Sequence, residues 1–140
     1  MIRNRAHPNL FIYENYLYAF FGKDNDNYDK SIERLNLANP QTSVWEMILF
    51  SNPNDVNLRI YGCGLYQNDD CIYFFGGKCM DQVTDDIFFI NMKERTIESV
   101  DAKLKWKESF RENSLFQLGN HLVQISDEKY FGNYWKVVVE

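Results

Sequence analysis

The chain reads as an all-β protein, and three observations carry that reading. Aromatic residues, mostly Tyr and Phe, make up 16% of it, and they favour strands over helices. Ala, the strongest helix former, is scarce, while Asn, a turn residue, is plentiful. Residues 71–77 (CIYFFGG) have a counterpart 55 positions earlier, at 16–22 (YLYAFFG). Repetition at a fixed long period marks an array of similar units.

The period extends beyond that strand. Residues 9–22, 64–77 and 114–127 align without gaps. Leu10, Leu65 and Leu115 share a column, as do Phe11, Tyr66 and Phe116. Further columns hold Asn15, Asp70 and Asn120, then Leu17, Ile72 and Leu122, then Phe20, Phe75 and Ile125. Arg5, Arg59 and Arg111 precede the three blocks at nearly the same distance.

Each block predicts a hairpin. Two short apolar strands flank Glu14-Asn15, Asp69-Asp70 or Gly119-Asn120. Links rich in Asn, Asp and Gly tolerate positive φ and close two-residue turns. The second strand of each hairpin is apolar at nearly every position, as a strand covered on both faces would be.

A polar loop follows, at 23–30 in the first unit and 78–85 in the second. Third strands are predicted at 31–37 and 86–92, where Ile32, Leu35 and Asn36 match Ile87, Ile90 and Asn91. Fourth strands fall at 43–49, carrying Trp45, and at 96–100, with Trp106 just beyond. The turn-rich stretch 51–57 (SNPNDVN) connects the first two units. In the third, a loop at 127–133 leads to a third strand at 134–139. The units span roughly 5–50, 58–106 and 110–140 of a single domain, the last incomplete. Residues 93–95 and 102–108 are charged but too short and poorly capped for helices. A β-sandwich of three independent hairpins is the competing arrangement, and it needs no internal repeat.

Four-stranded units of this size, with an apolar second strand ending in Gly-Gly, resemble kelch repeats of the β-propeller type. Arg5-Ala6-His7 opens the first unit as the family's Arg and His open a repeat. Residues 17–22 and 72–77 correspond to the strand that ends in the glycine pair, and Trp45 to the family's late tryptophan. The second unit has both glycines, Gly76 and Gly77. The first has Phe21 before Gly22, and the third has Ser126 and Asp127 instead. The pair suits a sharp strand exit where backbones approach closely. Phe21 and Ser126 therefore predict relaxed exits.

The resemblance implies an incomplete propeller of about three blades, against roughly four to eight in closed rings. A longer parent chain, a second copy or a partner would complete it. It also implies a non-catalytic adaptor that binds protein through inter-strand loops. A structural subunit of a large intracellular assembly, or a fragment of a larger propeller protein or propeller enzyme, are the alternatives.

Charge and motifs narrow the chemistry. A net charge of −5 with pI about 5.0, and no stripe of Lys and Arg among aromatics, argue against nucleic acid. Residues 1–9 lack a signal-peptide core, and no apolar run reaches the roughly 20 residues that span a bilayer. No Asn-x-Ser/Thr site occurs. A cytoplasmic protein is the expectation. Cys63, Cys71 and Cys79 lack the close pairing of zinc sites and read as reduced, buried thiols. His7 and His121 have no catalytic companions, and no nucleophile-elbow, zinc-protease, P-loop or dinucleotide motif occurs. No enzyme, cofactor or metal is expected.

Asp24, Asp26 and Asp29 begin with the spacing of a calcium loop, but Tyr28 stands at the next ligand position. A solvated loop is the simpler reading. The acidic loops carry the one candidate site: Asp24, Asp26 and Asp29, then Asp81, Asp85 and Asp86, then Asp127 beside Glu128. The kelch resemblance implies that the inter-unit stretch 51–57, with Asp55, shares in partner binding. Stacked units would line these loops along one rim that steers a basic protein partner.

Overall fold

A computed structural model describes residues 1–25, 27–58, 60–79 and 82–104, and beyond them the backbone of three strands. Among the described residues every regular element is a strand, and none of them forms a helix long and apolar enough to cross a membrane. The strands are β1 (Asn9–Tyr13), β2 (Tyr16–Phe20), β3 (Lys23–Asp24), β4 (Asn27–Tyr28), β5 (Ile32–Asn36) and β6 (Glu46–Ile48) in the first unit. The second has β7 (Ile60–Tyr61), β8 (Gly64–Asn68), β9 (Cys71–Phe75), β10 (Lys78–Cys79), β11 (Gln82–Val83), β12 (Asp86–Asn91) and β13 (Thr96–Lys103). β14 (Leu115–Leu118), β15 (His121–Gln124) and β16 (Trp135–Val137) form the third.

Sheet one is an antiparallel meander, β1-β2-β5-β6, and sheet two repeats it as β8-β9-β12-β13. Sheet three, β14-β15-β16, follows the same order, and β14 lies beside β8. The 55-residue period governs the register itself. Asn9 faces Phe20 as Gly64 faces Phe75, and Tyr16 faces Asn36 as Cys71 faces Asn91. Bonds outside the ladders repeat too. The Leu37 N–H donates to the Asn15 carbonyl at 2.7 Å, and Met92 to Asp70 at 2.7 Å.

The period stops at the fourth strand. Glu33 faces Met47, whereas its counterpart Phe88 faces Ser99. The cause is the link, which runs 37–45 in unit one but only 92–95 in unit two. Trp45 sits in that longer link, half-buried, just before β6. β13 runs to Lys103, past the predicted end at 100, with a β-bulge opposite Asp86–Phe88.

The core lies between sheets one and two. Tyr18, Phe20 and Ile32 on one face of sheet one meet Ile72, Phe74, Phe88, Ile90 and Ile97 of sheet two. Phe74 and Phe88 stack with centroids 4.7 Å apart. The opposite face of sheet two gathers a second cluster of Tyr66, Tyr73 and Ile87 around Phe75. Burial on both faces explains the continuous apolar runs of β2 and β9.

Two expectations need correcting. The Phe21 exit is not relaxed: Phe21 holds φ 54°, beside 58° at Gly76. Its amide bonds the Ser31 carbonyl at 3.2 Å, as that of Gly76 bonds Asp86 at 2.9 Å. A bulky residue in this conformation is strained. The buried Phe21 ring offsets that strain by packing on Phe20, Phe74 and Phe88. The second correction concerns the column of arginines. The place of Arg5 is filled in unit two by buried Ile60, one residue past Arg59. Arg59, Arg111 and Ser126 lie outside the described residues.

Candidate partner-binding rim

The segments read as polar loops are hairpins. β3 pairs with β4, and β10 pairs with both β11 and β7. Each is seated on the chain entering its sheet. Ala6 exchanges backbone bonds with Lys23 at 2.6 and 2.9 Å, and Tyr61 pairs Lys78 at the equivalent place. Each is also closed behind, by Asp29 N–H to the Gly22 carbonyl at 2.9 Å and Thr84 N–H to the Gly77 carbonyl at 3.0 Å. Gly77 has φ 101°, and a Cβ there would meet Cys63 Sγ at 2.9 Å and the Tyr61 carbonyl at 3.0 Å. The glycine is what lets the entering chain pass close enough to bond the hairpin. The two hairpins thus occupy equivalent ends of the first two sheets.

The acidic candidates divide. Asp24 is exposed, and its carboxylate accepts a 3.3 Å contact from the neighbouring Asn25 amide. Asp55 is exposed in the connector, with φ 47°. Asp29 serves the fold itself, since it accepts from the Ser31 N–H at 2.8 Å and lies 3.4 Å from the Arg5 guanidinium. Asp86 binds Lys103 and accepts from the Thr84 hydroxyl at 2.5 Å, while Asp85 is 3.8 Å from Lys103. The bond to Asp86 raises the pKa of Lys103 above its usual range. Asp26, Asp81 and Asp127 lie outside the described residues. The rim is not acidic column by column. Asp24 corresponds to Cys79 and Asp29 to Thr84, and only Asp26 and Asp81 share a column.

Sequence reasoning missed an aromatic group beside Asp24. The His7 and Tyr61 rings stack at 6.0 Å, and Tyr28 lies 6.0 Å from Tyr61. The Lys23 ammonium sits 5.5 Å from the Tyr28 centroid and 5.7 Å from that of Tyr61. These distances are within the reach of cation–π attraction. His7 takes φ 53° where unit two has Gly62 at 64°. The 55-residue alignment does put Ala6 over Tyr61, but the strand pairing that gathers the rings carries no apolar signal.

The connector is ordered by Asn52, whose side chain accepts from the Val56 N–H and donates to its carbonyl, both at 2.9 Å. This leaves Asp55 at the tip of a closed loop.

No group of three or more metal-ligating side chains occurs among the described residues. Cys63 and Cys71 are free thiols, buried and half-buried. Burial pushes the Cys63 thiol far up, which keeps it protonated and unreactive. The side chains of Cys79 and His121 lie outside the described residues. Comparison with family models finds no match, and comparison with curated proteins finds none.

Proposed function

We propose that the chain is an array of kelch-like propeller blades that acts as a non-catalytic protein-interaction module, its partner held at the rim. One observation carries this reading. The first three strands of sheets one and two repeat residue for residue in register and backbone bonding, while the rim positions differ between units. Such a division suits a rigid scaffold that presents variable loops. Exposed Asp24, in the hairpin that carries Tyr28, and exposed Asp55 at the tip of the connector favour a basic partner.

A second reading, a structural subunit inside a larger intracellular assembly, is favoured by exposed Val44 (79%) and Leu49 (88%) at the edge of sheet one. Affinity capture with the wild type and with an Asp24→Lys/Asp55→Lys variant separates the two. The module reading expects a small set of partners that the variant loses while its melting temperature stays put. One stoichiometric complex that survives the variant supports the subunit reading instead. Redox activity or a tightly held metal in the purified protein would overturn both.

A further inference from the structure

Sheet one has an outer face that its counterpart in sheet two uses for docking. Leu65, Ile72, Phe74, Phe88 and Ile90 of sheet two pack on sheet one. Fifty-five residues earlier stand Leu10, Leu17, Ala19, Glu33 and Leu35. Glu33 pairs with Ala19 across the ladder, one position out of phase with the core residues Phe20 and Ile32, so both point away from the core. At the margins this face is bare: Leu10 is 45% exposed, Ile12 57% and Met47 44%. At its centre Ala19 and Glu33 are wholly buried.

The chain's own N-terminal stretch closes over Glu33. The N–H groups of Ile2 and Arg3 donate to the two carboxylate oxygens of Glu33, at 2.5 and 3.1 Å. The Arg5 guanidinium pairs with the same carboxylate, and both side chains are fully buried. Arg5 is anchored in turn by the carbonyls of Phe21 at 3.0 Å and Ser31 at 2.9 Å and by the Ser31 hydroxyl at 2.7 Å. Where sheet two offers Phe74 and Phe88 to a neighbour, sheet one thus holds a small residue and a charge-satisfied strap. A polar outer face is the general device that caps a stacked array and keeps it in solution.

We infer that residues 2–5 cap sheet one: they occupy its docking face and hold the chain back from stacking on a second copy of itself. The Arg5–Glu33 pair is the clasp. Leu10, Ile12 and Met47 are the part of that face left outside the strap.

The test is the oligomeric state of the Arg5→Leu/Glu33→Leu double variant, which removes both charges together. Light scattering should give the mass of one chain for the wild type, and a mass rising with concentration for the variant. Adding Leu10→Lys and Ile12→Lys to the variant should return it to one chain. A double variant that keeps the wild-type β spectrum and the mass of one chain at every concentration overturns the inference. So does a wild type already associated through Leu10 and Ile12. Should the variant not fold, amide exchange in the wild type decides: slow exchange at Ile2 and Arg3 supports the strap, and unprotected exchange sinks it.

Discussion

His7, Glu14 and Phe21 of unit one hold backbone conformations better suited to glycine. Their φ angles are 53°, 51° and 54°, at positions where unit two has Gly62, Asp69 and Gly76. Each left-handed residue costs about 1–2 kcal/mol. For Phe21 the buried ring more than offsets this, since deleting a core Phe costs about 3–5 kcal/mol. The two glycines of unit two should accordingly differ in tolerance. Gly76→Ala meets the left-handed penalty at a place where unit one accommodates Phe21, and should lose about 1 kcal/mol. Gly77→Ala adds a collision with Cys63 and the Tyr61 carbonyl, and should lose about 3 kcal/mol or more. Urea unfolding of both variants checks this, and equal losses would refute it. The glycine pair was legible as a sharp exit. The ability of Phe21 to hold the same exit was not, because its ring partners lie on a different sheet, at Phe74 and Phe88.

At the scale of elements, legibility followed the apolar pattern, alternating or continuous. β1, β2, β5, β8, β9 and β12 were readable from their patterns and fell within two residues of expectation. β3, β4, β10 and β11 were not, since strands of two polar residues carry no periodicity and exist only through pairing. The burial of Glu33 likewise has no signal in its own strand, because the strap that covers it comes from a remote stretch. One contact between elements has a pH signature. The Tyr13 hydroxyl, in the first hairpin, donates to Asp70 at the turn of the second at 2.6 Å. That bond pushes the pKa of Tyr13 up to about 12, from an ordinary 10. The neutral phenol is thus favoured in the folded chain, so its contribution is complete below pH 10 and is lost as pH climbs through 12. Tyr13→Phe should cost about 1 kcal/mol at neutral pH. It should also flatten the stability curve between pH 10 and 12 in denaturant titrations. A wild type and variant that lose stability in parallel over that window would show the bond to be idle.

For the whole molecule, the shared core ties the first two units into one cooperative body. Phe20 and Phe21 of sheet one touch Phe74 of sheet two, and the buried cluster draws on both sheets throughout. Thermal unfolding followed through the aromatic environment and through backbone circular dichroism should therefore give coincident transitions for residues 1–104. Separate midpoints would mean that each sheet folds alone. The rim is the part of the molecule that pattern reading served least well. Asp29, Asp85 and Asp86 were legible as acidic residues, but their partners Arg5 and Lys103 come from other strands and segments. Charge along the chain offered no way to tell these internally bonded groups from exposed Asp24 and Asp55.

Just after β6, Ser51 bonds the Arg95 carbonyl with its N–H and the Ile97 N–H with its carbonyl, both at 2.8 Å, forming a parallel rung on β13. An outermost strand with open amides invites pairing with other chains and is a common seed for aggregation. Here the chain leaving sheet one blocks the start of that strand before any foreign strand can add to it. The connector thus also acts as an edge guard.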